Sequence, residues 1–297
     1  MGENDTSNKR VTIRPNIVML LFFLFLVISP AFFASWLSTR GVHELIVHAV
    51  FVVELVTIPV LLYLLISRQK PKNALSISPL GLKNGLLVAG VSLAIVPIIF
   101  LIIYVGISFG DRNNYIEIPT FHTLWLGIIT GGIIIASFEE LFMRGPVYHE
   151  YRRQGVSFWK IALITSLLFG IAHSGIIQIS YTAVWGFVMA YMLYITHSIW
   201  APILSHVIIN TLGHVLNPVY YVDSYTDFRD VLPTYLIVMG AAAVAMLPIG
   251  IICWKKLIAN NPRTKEKATS ESKAFTISYW VLFAIMIALT ILREVNS

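Results

Sequence analysis

Apolar runs of about twenty residues recur along the chain, each ended by a short polar stretch. They lie near 17–37, 45–66, 85–109, 121–143, 158–173, 176–196, 199–217, 234–254 and 275–292. A helix needs about 20 apolar residues to cross the hydrocarbon core. The pattern therefore predicts an all-α fold, a polytopic membrane bundle of eight to nine transmembrane helices. The first run follows a polar, basic start with Lys9, Arg10 and Arg14. A cleaved signal peptide opens in the same way, and Ala34-Ser35 would suit its cleavage. The length of the run and the many spans after it favour a retained helix. No internal repeat is visible, and the polar, basic stretch 255–273 reads as a solvated linker.

Composition supports lipid as the solvent. Hydrophobic types make up 57% of the 297 residues and charged types 12%, with a mean hydropathy of +0.78. Soluble domains carry about 25% charged residues, so a water-facing globule would lack the charge to cover itself. The net charge is +6, but the basic residues sit in short clusters between apolar runs rather than along one groove. That argues against a nucleic-acid partner. The single cysteine, Cys253, has no partner within the chain for a disulfide.

Basic residues also set an orientation. With the N-terminus in the cytoplasm and all nine runs spanning, all but four of the 21 Lys and Arg fall on the inner side. The four are Arg40, Arg112, Arg229 and Arg293. Trp36, Trp159, Trp200 and Trp254 lie near run ends, where aromatic anchors belong.

Ionisable groups inside a bilayer cost several kcal/mol unless paired or solvated, so each is a candidate site residue. The runs contain Glu54, Glu139, Glu140, Arg144, His173, His206 and His214, with Asn210 as a further polar group. Most lie between 139 and 214. In EELFMR, Glu140 and Arg144 are one helical turn apart with the acid first, the favoured order for a pair. Glu139 then points about 100° away without a local partner. A desolvated, unpaired carboxylate suits general acid or base chemistry; a buried ion network joining two helices needs the same residues. In FGIAH, Phe169 and His173 share a helical face, with His173 either a hydrogen-bonding strut or a catalyst. In HVIIN, His206 and Asn210 lie one turn apart. They suit either oxyanion stabilisation or interhelical hydrogen bonds. His214 continues their face.

Depth brings these groups together. Counting from a polar turn at His149–Gly155, Glu139 and His173 fall at similar depth in an antiparallel pair, although Gly145-Pro146 should kink the first helix. His206 lies about 10 Å from the turn at 197–200. All three groups are expected in the inner half of the membrane.

EELFMR resembles the EExxxR motif of the CAAX-protease and bacteriocin-processing family, FGIAH its FxxxH motif and HVIIN its HxxxN motif, in the family's order. Ser78–Lys83 (SPLGLK) is similar to an element ahead of the family's core. The resemblance implies N-terminal helices over 1–77, a catalytic core over 78–217 and C-terminal helices with the basic linker over 218–297. It further implies an intramembrane endopeptidase acting on a membrane-associated or prenylated, lipophilic peptide. Carried over, Glu139 and His173 would activate water, His206 and Asn210 would stabilise the oxyanion, and Glu140 and Arg144 would support the site. No cofactor is expected, with zinc held by Glu139, His173 and His206 as the alternative. The expected location is a bacterial plasma membrane. A non-proteolytic scaffold, such as a bacteriocin self-immunity protein, is the competing function. A coupled transporter would use similar carboxylates, but the broken helices in matching halves common in such folds are not visible.

Overall fold

The computed structural model describes residues 33–109, 121–173, 176–216 and 225–262, together with Trp280, Ala284, Ile287 and Ala288. Its elements are α1 (Phe33–Ser38), α2 (Glu44–Ser67), α3 (Pro71–Ala74), α4 (Leu82–Phe109), α5 (Phe121–Gly127), α6 (Ala136–Phe142), α7 (Tyr148–Arg153), α8 (Phe158–Ile171), α9 (Ile176–Thr196), α10 (Trp200–Leu216) and α11 (Tyr225–Asn260). Two π-helical segments, Ile128–Ile135 and Met143–Val147, join α5 to α6 and α6 to α7. The described residues are thus helical or in short connections.

Seven of the nine expected runs coincide with described helices. The runs at 17–37 and 275–292 lie largely outside the described residues. Among the described residues, five helices are long and apolar enough to cross a bilayer, and α8 and α10 are shorter apolar helices. At 1.5 Å per residue, the 14 residues of α8 extend about 21 Å, short of a hydrocarbon core of about 30 Å. The helix is therefore too short to span the core by itself, and it ends two residues before His173.

Two devices hold the frame. Helices α4 and α11 run antiparallel at close range. A Cβ added at Gly90 would meet the Cys253 sulfur at 2.6 Å, and one at Gly250 would meet the Ala94 Cβ at 2.7 Å. Small residues permit this approach where lipid removes any solvent-driven gain from association. At one end Asn84 exchanges hydrogen bonds with Asn260 (2.6 Å) and Asn261 (3.1 and 3.2 Å). At the other, Tyr104 packs edge-on against Tyr235, with ring centres 4.7 Å apart. The outer face of α11 is strongly exposed at Ile237 and Val244, as a lipid-facing surface should be. The second device ties α4 to α10. Buried Ser92 donates to Ser205 at 2.8 Å, one residue before His206.

The expected turn at His149–Gly155 begins later than the polarity suggested. Residues 148–153 remain helical as α7, and the chain turns at Gln154–Ser157. The expected kink is present: Gly145 leaves helical geometry (φ −80°, ψ −108°) inside the segment Met143–Val147. Trp36, Trp159 and Trp200 are exposed, whereas Trp254 stacks on Tyr191 with ring centres 5.2 Å apart and is packed into the bundle edge.

Candidate active site

The three polar groups meet around one buried ion cluster. Glu140 on α6 and Arg144, one turn later, are both completely buried and paired at 3.0 Å. Arg144 reaches across to α9, where its Nη2 donates to the Gly186 carbonyl at 2.8 Å. Its guanidinium lies over the Phe169 ring of α8, 4.9 Å from the centre. The same Glu140 oxygen that accepts from Arg144 also accepts from His206 Nδ1 at 3.0 Å. One carboxylate oxygen therefore joins α6 to α10, and one guanidinium joins α6 to α8 and α9. A buried charge survives only when paired and hydrogen-bonded, which fixes these four elements together.

Glu139 is placed differently. Its side chain is 25% exposed, and Oε2 lies 3.8 Å from His206 Nε2. The expectation of a desolvated, solitary carboxylate is therefore corrected. Glu139 sits at the open edge of the cluster with an imidazole as its neighbour, because α6 turns it away from the Arg144 side. Arg144, counted from sequence with the inner-face cations, likewise belongs to the interior.

His173 is not on a helical face. Helix α8 stops at Ile171, and His173 Nδ1 bonds back to the Phe169 carbonyl at 2.8 Å. A carbonyl can only accept, so Nδ1 carries the proton and Nε2 of the neutral ring is left as an acceptor. The imidazole thus satisfies one of the carbonyls orphaned at the helix end. Phe169 is the hub between the histidines, with its ring centre 4.8 Å from that of His173 and 5.7 Å from that of His206, edge-on to both.

Asn210 lies one turn beyond His206. Its amide donates to the Gly131 carbonyl at 3.3 Å, inside the π-helical segment Ile128–Ile135. Such segments disturb the regular backbone ladder and gather at functional sites. Here one of the carbonyls is met from α10. The approach is close: a Cβ at Gly131 would come within 2.7 Å of His214 Nε2, and one at Gly127 within 2.9 Å of His214 Nδ1. His214 therefore packs in a groove cut by two glycines four residues apart.

Sequence reasoning missed Gly186, Gly127 and Gly131, and gave Phe169 no task. The Gly127-x-x-x-Gly131 spacing was a usable signal, since small residues at that interval mark close helix contacts. A Cβ at Gly186 would sit 3.3 Å from Arg144 Nη2 and 3.4 Å from the Phe169 ring, but a single glycine in an apolar run carries no comparable mark.

The zinc alternative finds no ready ligand set. Among the described residues, no three His, Cys, Asp or Glu side chains converge in a metal-holding arrangement. The Nδ1 bonds of His206 to Glu140 and of His173 to a backbone carbonyl leave the two Nε2 atoms as the ring nitrogens a metal would take.

With this geometry in place, the comparisons with known proteins bear on it directly. Residues 121–212 match the family described as "Type II CAAX prenyl endopeptidase Rce1-like", a segment that contains Glu139, Glu140, Arg144, Phe169, His173, Gly186, His206 and Asn210 but not His214. A curated relative, "Putative membrane peptidase YdiL" of Bacillus subtilis strain 168, is 26% identical over 144 residues. The alignment covers 48% of this chain and 58% of the relative, so little more than half of the relative's length is matched. No solved structure gives a significant match.

Proposed function

We propose that this chain, whose residues 121–212 match the Rce1-like family, is an intramembrane endopeptidase of the CAAX-protease and bacteriocin-processing family. It hydrolyses peptide bonds of a membrane-associated, lipophilic substrate with water activated by Glu139. The observation that carries the reading is the contrast within one residue pair: Glu140 is sealed in an ion cluster, while Glu139 is partly exposed beside His206 Nε2.

The chain's own residues suffice for the proton movements. Glu139 Oε2 and His206 Nε2 are 3.8 Å apart, close enough for one water to touch both at ordinary hydrogen-bond lengths. Glu139 takes a proton from that water as its oxygen bonds to the scissile carbonyl carbon. Negative charge then moves to the carbonyl oxygen. Asn210 has a second amide N–H besides the one on Gly131, and His206 Nε2 donates when the ring is doubly protonated; these two stabilise the oxyanion. Collapse breaks the C–N bond, and the proton held by Glu139 passes to the leaving amine. His173 Nε2, fixed as an acceptor, orders the attacking water from the α8 side. Glu140, Arg144 and Phe169 position His206 rather than touch substrate.

The membrane is a bacterial plasma membrane, with the N-terminus and the connections at 68–81, 154–157 and 197–199 on the cytoplasmic side. The test uses the purified full chain in liposomes with a library of membrane-anchored peptides, read by terminal mapping of products. Wild type should release defined fragments, and Glu139→Gln should lower the rate by at least about a hundredfold, the scale of one general base. Cleavage by Glu139→Gln at the wild-type rate would falsify the assignment.

A further inference from the structure

Three connections that sequence alone places on one side of the membrane converge on a polar cleft of about 370 Å³. It is lined by Lys72 and Ser76 after α2, by His149, Arg152 and Arg153 on α7, and by His197 between α9 and α10. No acidic side chain lines it. The nearest acid along α7, Glu150, is fully buried and turned away, with both oxygens committed. Arg153 bonds to both at 2.7 and 3.0 Å, Tyr63 to one at 3.1 Å and Gln154 to the other at 3.4 Å. Glu150 therefore offsets Arg153, and Lys72 and Arg152 are the lining's other cationic side chains.

The rim is built rather than incidental. Ser198 Oγ donates to the Ser78 carbonyl at 2.6 Å, and the Ile199 N–H donates to the Ser76 carbonyl at 3.0 Å. Ser76 and His197, facing one another across these bonds, both hold left-handed backbone angles (φ 51° and 52°), which residues with a Cβ adopt only under constraint. Partial burial of its ring and then the Arg152 cation lower the His197 pKa below the usual imidazole value.

The cleft's neighbours point to its depth. Leu65 and Ile66 close α2 just before it, and Leu82 opens α4 just after it; all three are strongly exposed. Exposed Trp159 and Trp200 begin α8 and α10, at the ends of those helices nearest the cleft in sequence. Exposed apolar side chains and tryptophans at helix ends beside polar connections mark the interface between acyl chains and headgroups, which is also the level of lipid phosphates. A soluble anion would need no such apolar surround.

We infer that this cleft binds the phosphate of an anionic phospholipid, with Lys72, Arg152 and the Ser76 hydroxyl as its contacts. The inference stands apart from the peptidase reading, and its test does not use activity. The full chain is purified in phosphatidylcholine micelles doped with phosphatidylglycerol, and retained lipid is counted by native mass spectrometry. Wild type should hold phosphatidylglycerol selectively. Lys72→Gln, at an exposed position, should weaken retention about fivefold, the factor one basic residue contributes at an anionic leaflet. Lys72→Arg should keep it. Lys160→Gln, exposed at the start of α8 and outside the cleft, should have no effect. Equal losses for Lys72→Gln and Lys160→Gln, or none for either, overturn the site. Displacement of phosphatidylglycerol by micromolar inorganic phosphate overturns the lipid as its source and assigns the cleft to a soluble phosphate.

Discussion

Glu139 and Glu140 are neighbours in sequence with opposite physical situations, and their amide substitutions should separate cleanly. Glu140→Gln preserves shape: the amide oxygen can still accept from Arg144 and His206. What it removes is the negative charge 3.0 Å from a guanidinium with no solvent exposure. At an effective dielectric of about 20, a pair at that separation is worth about 5 kcal/mol. Breaking one partner of a buried pair typically costs about 3–5 kcal/mol. Glu139→Gln removes a charge that is a quarter exposed and 3.8 Å from an imidazole, which should cost less than about 1 kcal/mol. Unfolding by increasing dodecyl sulfate fraction in mixed micelles, followed by tryptophan fluorescence, measures both. The expected result is a shift of several kcal/mol for Glu140→Gln in a folded-state plateau that Glu139→Gln barely moves. The double substitution Glu140→Gln, Arg144→Gln should recover part of the loss, because the uncompensated charge leaves with its partner. Equal costs for the two single variants would refute the division between a sealed, paired acid and an open one.

Arg144→Lys should destabilise by about 2 kcal/mol in the same assay, since an ammonium cannot hold Glu140, the Gly186 carbonyl and the Phe169 face together. Gly131→Ala should cost about 1–3 kcal/mol by driving a methyl into His214. Adding His214→Ala should restore part of that loss, and an unchanged double variant would show that the close contact is not the cause.

The spacing in EELFMR was enough to pair Glu140 with Arg144, because a helix puts residues four apart on one face whatever surrounds them. It could not say which partner waits across the bundle. His206 takes Glu140 rather than Glu139 because α10, fixed by Ser205 to Ser92, presents Nδ1 to the buried face of α6. Hydropathy likewise located α8 but not its end. FGIAH continues the apolar run past Ile171, and only the Ser174-Gly175 pair after His173 resembles a stop signal. The two π-helical segments were also invisible, since one widened turn hardly changes a pattern of uniformly apolar residues.

The short α8 explains how the imidazole of His173 comes to be held with one ring nitrogen left over. A helix that crossed completely would bury its carbonyls in its own ladder and leave an imidazole only as a side branch. Ending at Ile171, α8 leaves carbonyls that need donors, and His173 Nδ1 meets the one on Phe169. That bond decides which nitrogen remains available, and it holds the ring against Phe169, whose other contacts are Arg144 and His206. The orientation of His173 is therefore coupled through one aromatic ring to the ion cluster that orients His206. The motif letters E, R, F, H and H read as separate requirements in sequence, but in space they are a single connected assembly. Glu139 is the member left at its edge.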